Sequence, residues 1–205
     1  NAFSGVYLPS ETVKKRQPIP LARVRKLQGE CVRLNDDIRW LVALISDTGM
    51  RLSEAVGLRH QDLKLDHEVP HVALVPHPTR RLKTDSSERV IPLVGASLWA
   101  AQKIIESDHS EYCFPRYCSD AVCKSNSASA AINKWIKAVV GSNAVIHGFR
   151  HGFRDRLRAV EAPVDMIDQL GGWSLRSVGQ GYGEGYPLAN LHHWQGKVSF
   201  PISVG

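Results

Sequence analysis

Apolar residues recur every three or four positions over most of this chain and alternate over one short central stretch. Ile38, Leu41, Val42 and Ile45 fall at helical spacing and predict a buried amphipathic helix over residues 37–46, preceded by a helix over residues 21–34. Asp47-Thr48-Gly49 then breaks the run and offers capping groups for a further helix from Arg51 to Leu58. The segment DLKLDHEVPHVALVP alternates, and TRRLKTDSSERVIPL sets a polar turn between extended runs; together they predict an antiparallel sheet of about three strands. From Ala96 the helical period returns, over residues 96–107, 127–140, 149–160, 163–170 and 187–195, with 108–126 expected as a long polar loop. The closing GKVSFPISVG reads as extended and unpaired. The expected fold is mainly α with a small antiparallel β-sheet (α+β).

Composition narrows the class. The chain has 205 residues, 43% apolar and 22% charged, as in folded globular domains. It has no apolar run long enough for a membrane span and no signal-peptide pattern at its start. Residues 1–20, with Pro9, Pro18 and Pro20, read as a linker or lead-in, and residues 21–186 as the domain. Residues 187–205 read as a C-terminal helix and a tail that either docks on a neighbouring protomer as an added strand or frays. Because the chain begins at Asn1, it is expected to be a piece of a longer protein. Four residues separate Cys113 from Cys118 and Cys118 from Cys123, unlike the C-x-x-C of zinc sites, so reduced cytosolic thiols are expected and no metal.

A net charge of +6 and a pI near 9.3 favour a polyanionic partner. The excess is clustered at Lys14-Lys15-Arg16, at Arg23, Arg25 and Lys26, at Arg80, Arg81 and Lys83, and at Arg150, Arg154, Arg156 and Arg158. Each cluster alone reads as a solvated face. The last one lies in HGFRHGFRDRLRAV, where Phe149, Phe153, Leu157 and Val160 fall on a stripe about 80° wide. The phenylalanines would anchor this helix, leaving His147 and Arg150 near its N-terminus, a place suited to phosphate. His147 and His151 have metal-ligand spacing, but the neighbouring arginine would repel a cation, and no carboxylate stands with them. In DTGMRLSEAVGL, Arg51 and Glu54 are one turn apart, the spacing of an ordinary helical ion pair.

Four segments taken in order resemble the catalytic domain of tyrosine recombinases, the phage integrase family. They are TG-x-R-x-x-E (Thr48, Gly49, Arg51, Glu54), K-T-x-x-S-x-R-x-x-P-L (Lys83 to Leu93), H-x-x-R-H (His147, Arg150, His151), and Gly172-Trp173 with Tyr182 nine residues on. The resemblance runs from about Pro20 to Tyr186. It implies a site-specific recombinase in which Tyr182 attacks a DNA phosphodiester and leaves a 3′-phosphotyrosyl link, with no metal, ATP or other cofactor. Arg51 and Arg150 would hold the phosphate, Lys83 would protonate the leaving oxygen and His147 would take or relay the phenol proton. Trp173 stands where the family more often has histidine; its indole can donate a hydrogen bond but cannot accept a proton. Glu54 and His151 would support the arginines, although His151 also fits a plain core histidine. Arg80, Arg81 and Arg154 would contact DNA.

Tyr186 lies one helical turn beyond Tyr182; the register from Trp173 selects Tyr182. The implied partners are double-stranded DNA and further copies of the full-length protein, as a tetramer on DNA in the bacterial or phage-infected cytoplasm. A type IB topoisomerase would use similar side chains, and a non-catalytic DNA-binding descendant would keep the basic faces. A metal-dependent nuclease lacks the carboxylates and histidines it would need.

Overall fold

The computed structural model describes residues 17–77, 80, 87–107, 110–119, 122–141, 144–173 and 185–202. In chain order they form α1 (Leu21–Leu34), α2 (Asp37–Thr48), α3 (Leu52–Val56), β1 (Leu63–Lys64), β2 (His71–Leu74), β3 (Arg89–Pro92), α4 (Gly95–Ser107), β4 (Cys118–Ser119), β5 (Val122–Cys123), α5 (Ser125–Val140), α6 (His147–Ala159), α7 (Val164–Gly171) and α8 (Leu188–Gly196). Mainly helical structure with a small antiparallel sheet is therefore what the chain adopts.

Helix α2 is the axis. Asp36 caps it by accepting the Arg39 backbone N–H at 3.0 Å, and Gly49, at φ +63°, ends it. Every residue from Leu41 to Thr48 is buried, because α1, α4 and α6 all pack against this helix. Gly49 is required twice over. Its backbone is left-handed, and a Cβ there would lie 2.4 Å from a ring carbon of Phe153. Leu27, Leu41, Leu44, Ile45, Met50, Leu58, Phe114 and Phe149 fill the main core. Phe153, Leu157, Ile167, Leu170 and Leu191 form a second core between α6, α7 and α8. Of the anticipated stripe of α6, Phe149, Phe153 and Leu157 are fully buried, each stabilising by about 1.5–3 kcal/mol, and Val160, at the C-cap, is partly buried.

The sheet runs β1-β2-β3, antiparallel throughout, with Leu63 opposite Val72, Val72 opposite Ile91 and Leu74 opposite Arg89. A buried polar staple joins it to the helices. Asp47 accepts from Gln28 at 3.1 Å, from the Ala96 backbone at 3.0 Å and from Arg156 at 3.1 Å. Gln195 on α8 donates to the Asp47 and Pro92 carbonyls at 3.0 and 2.7 Å. Burial raises the Asp47 carboxyl above its ordinary value although Arg156 opposes the shift. Helix α8 is thus built into the body rather than appended to it.

Three expectations change. The described part of the segment expected as a polar loop, residues 110–119 and 122–126, is not one: Tyr112, Cys113, Phe114, Tyr117 and Cys118 are buried, and β4 pairs with β5. Its apolar residues follow no regular period because they fill gaps in the core from irregular backbone. The same pairing sets Cys118 opposite Cys123, Cα atoms 4.2 Å apart, and the two form a disulfide. Reduced thiols remain only at Cys31 and Cys113, both buried, where burial pushes the thiol well above its ordinary range. The described part of the tail, to residue 202, is also held on its own body. Val198 is buried, its carbonyl accepts from Arg156 at 2.8 Å, and the Arg25 guanidinium lies 4.1 Å from the Phe200 ring centre. Among the described residues, no helix is long and apolar enough to cross a membrane.

Candidate active site

Arg51 stands at the N-cap of α3 in extended conformation rather than inside the helix. Glu54, at the third helical position, accepts the Arg51 backbone N–H at 2.8 Å, one half of a capping box. The other carboxylate oxygen takes the Arg51 guanidinium at 2.5 Å. The predicted ion pair is real and also fixes the start of α3. Further donations from Arg51 reach the Ser87 hydroxyl at 3.2 Å and the Gly172 carbonyl at 3.3 Å.

Arg150 approaches from α6. It is 4% exposed and donates through Nη1 to the Gly49 carbonyl at 2.8 Å. Its guanidinium carbon lies 4.4 Å from the centre of the Trp173 ring, and that of Arg154 lies 4.8 Å from it. Trp173 reaches this position because Gly171, the last residue of α7, has no side chain to exclude it: a Cβ there would sit 1.7 Å from an indole carbon. Arg154 is held in turn by Asp168 at 2.9 Å. Three segments distant in sequence therefore converge on one site, with Arg51 just before α3, Arg150 from α6 and Trp173 just after α7.

Among the described residues the site is short of negative charge. The guanidinium groups of Arg51, Arg89, Arg150 and Arg154 meet the carboxylates of Glu54 and Asp168 alone, a surplus of two positive charges among the described residues. Nη2 of Arg150 is buried without a hydrogen-bond partner among those residues. Burial first, then repulsion from Arg51, Arg89 and Arg154, holds Arg150 well below the usual guanidinium range. An anion would satisfy a buried donor in such a field.

His147 opens α6, half-buried, and meets the ring of His151 edge to face at 5.0 Å. His151 is exposed, so it is not a core histidine, and its ring contact is with His147. Arg80 also departs from expectation. It is 3% exposed and donates to Asp62 at 2.8 Å, to the Gly57 carbonyl at 3.2 Å and to the Val75 carbonyl at 3.1 Å. A guanidinium so enclosed offers no donor to a phosphate outside, and the expected DNA contact gives way to an internal brace. Arg154, partly exposed, is engaged by Asp168 and Trp173. Lys83, Arg81 and Tyr182 lie outside the described residues.

Sequence reasoning passed over Arg89. This residue is 8% exposed and donates to Glu54 at 3.0 Å, to the Leu170 carbonyl at 3.0 Å and to the Ser87 carbonyl at 2.7 Å. Its place, two residues after Ser87 within the lysine segment's motif, was the available signal. Tyr186 is also accounted for. Its hydroxyl donates to Asp165 at 3.0 Å, and its backbone N–H donates to Gln169 at 2.8 Å.

This helical frame with its small sheet is that of tyrosine recombinase catalytic domains. The chain belongs to the phage integrase family, whose model matches residues 24–185. Among solved structures it is similar to the Tn1549 transposon integrase in complex with a circular intermediate DNA, at 17% identity and TM-score 0.62, covering 88% of this chain and 65% of that one. XerA recombinase matches at 15% identity and TM-score 0.61, covering 82% and 58%. The integrase of mycobacterium phage Brujita matches at 13% and 0.60, covering 95% and 62%. The chain thus spans about three fifths of the length of these solved proteins. A search of curated protein sequences returns no significant match.

Proposed function

We propose that this chain is the catalytic domain of a site-specific recombinase that cuts and rejoins double-stranded DNA through a 3′-phosphotyrosyl intermediate. The observation that carries the reading is the buried, unpartnered Nη2 of Arg150 at a site shared with Arg51, where positive charge is in surplus among the described residues. A scissile phosphate would supply the missing acceptor. As its phosphorus becomes five-coordinate, charge gathers on the non-bridging oxygens, where planar guanidinium forks stabilise it better than lysines would. Trp173 adds a platform that keeps the Arg150 guanidinium in place.

In the proposed step, the Tyr182 oxygen bonds to phosphorus, and the bond from phosphorus to the 5′ oxygen breaks. His147 takes or relays the phenol proton and Lys83 protonates the departing 5′ oxygen. The covalent link retains the energy of the broken ester, so attack by another 5′-hydroxyl reseals a strand without ATP, and no metal is needed. Relatives solved on DNA support duplex DNA as the partner. The anchoring of Tyr186 to Asp165 supports Tyr182 as the nucleophile.

The test is a suicide duplex, nicked beside the cleavage point so that the cut strand diffuses away. Wild type should accumulate a covalent protein–DNA adduct whose DNA-linked peptide contains Tyr182. No adduct at saturating DNA would overturn the reading and leave a DNA-binding module. Exchange between two sites, against relaxation of a supercoil alone, separates recombinase from topoisomerase.

A further inference from the structure

We propose that Arg89 is a positioning residue that keeps the Arg51 guanidinium turned toward the scissile phosphate by occupying half of Glu54; this rests on the DNA-cleavage reading above. The carboxylate is divided. One oxygen receives Arg51 Nη1 at 2.5 Å, and the other receives both the Arg51 backbone at 2.8 Å and Arg89 Nη2 at 3.0 Å. Arginine and carboxylate otherwise prefer the two-pronged pairing in which both guanidinium ends are consumed. With Arg89 in place that pairing is blocked, and Nη2 of Arg51 is left on the Gly172 carbonyl at 3.3 Å, a long contact that a phosphate can displace.

Charge follows the same logic. Glu54 is buried, which by itself raises its carboxyl, yet Arg89 and Arg51 outweigh burial and hold it below the ordinary value. Its single negative charge is shared between two guanidinium groups, so Arg51 keeps a net field for an incoming anion. Arg89 also donates to the carbonyls of Leu170 and Ser87. It therefore ties α3 to the end of α7, where Trp173 follows, and to the strand that follows the Lys83 segment.

The experiment compares Arg89→Met and Arg89→Lys with wild type in single-turnover adduct formation, on a normal scissile phosphodiester and on a methylphosphonate that lacks the non-bridging charge. Arg89→Met should lower the rate on the phosphodiester by about a hundredfold, the scale of losing one oriented donor to a developing oxyanion. On the methylphosphonate it should lower the rate by no more than about threefold, because the charge that Arg51 stabilises is gone. Arg89→Lys, which keeps a cation on Glu54, should recover part of the difference and serves alone if Arg89→Met does not fold. Equal losses on both substrates, or none on the phosphodiester, would overturn the proposal. A crystal structure of the variant reads it without catalysis. Arg51 drawn onto both oxygens of Glu54 supports it, and Arg51 unmoved on Ser87 and Gly172 refutes it. An inactive wild type would instead sink the DNA-cleavage reading and leave that structural readout to decide Arg89.

Discussion

Replacing Arg80 by methionine separates an internal brace from a DNA contact, because the two roles predict opposite readouts. The Arg80 and Asp62 side chains are 2% and 3% exposed and meet at 2.8 Å. Methionine fills similar space but removes the cation, leaving Asp62 a buried charge whose remaining partner is the Arg59 backbone at 3.0 Å. The Val75 carbonyl also loses its donors from Arg80. Breaking a buried pair in this way costs about 3–5 kcal/mol. At about 2–4 °C per kcal/mol for a domain of this size, Tm should fall by on the order of 10 °C. Calorimetry gives that number, and fluorescence anisotropy across a salt series gives DNA affinity on the same samples. Below its Tm the variant should bind DNA with unchanged affinity and salt dependence. Replacing Asp62 by leucine in the same chain should restore most of the stability, since two apolar side chains leave no orphaned charge. A variant with wild-type Tm whose salt slope falls by about one counterion would refute the reasoning and return Arg80 to the DNA.

Three other outcomes follow from the same geometry. Glu54 has its carboxyl held below the ordinary value, so its contribution to stability is complete above about pH 4.3 and is lost as pH falls through the lower folded value. The stability gap between wild type and Glu54→Gln, measured by urea unfolding, should therefore narrow below about pH 4; a gap constant into acid would contradict the pairing. Gly171→Ala should expel the Trp173 ring, shift tryptophan fluorescence and slow adduct formation by roughly a hundredfold, as displacements of about 1 Å in a site can do. An unchanged rate would remove Trp173 from the machinery. Tyr186→Phe should cost about 1 kcal/mol of stability and still form the adduct, whereas Tyr182→Phe should form none. The reverse pattern would shift the nucleophile by one helical turn.

Much of the helical frame is visible in residue order. The period of Ile38, Leu41, Val42 and Ile45 reports α2, and the stripe from Phe149 to Leu157 reports α6, because a helix that buries one face needs an apolar residue at every third or fourth position. Residues 110–118 escape a periodic reading for the complementary reason. Phe114 and Tyr117 are buried from irregular backbone, where no repeat exists to betray them.

The site divides in the same way. Arg51, Glu54, His147 and Arg150 sit in short local patterns, so residue order alone is enough to nominate them. Which charges pair was decided only in three dimensions. Arg80 and Arg89 are both basic residues in polar surroundings along the chain, yet one folds onto Asp62 and the other onto Glu54, 18 and 35 residues away. Coulomb attraction and desolvation depend on distance and burial, and a linear string of residues specifies neither. The unpartnered Arg150 nitrogen, on which the functional reading depends, belongs to that second class: it exists only once α2, α6 and α7 have closed around it.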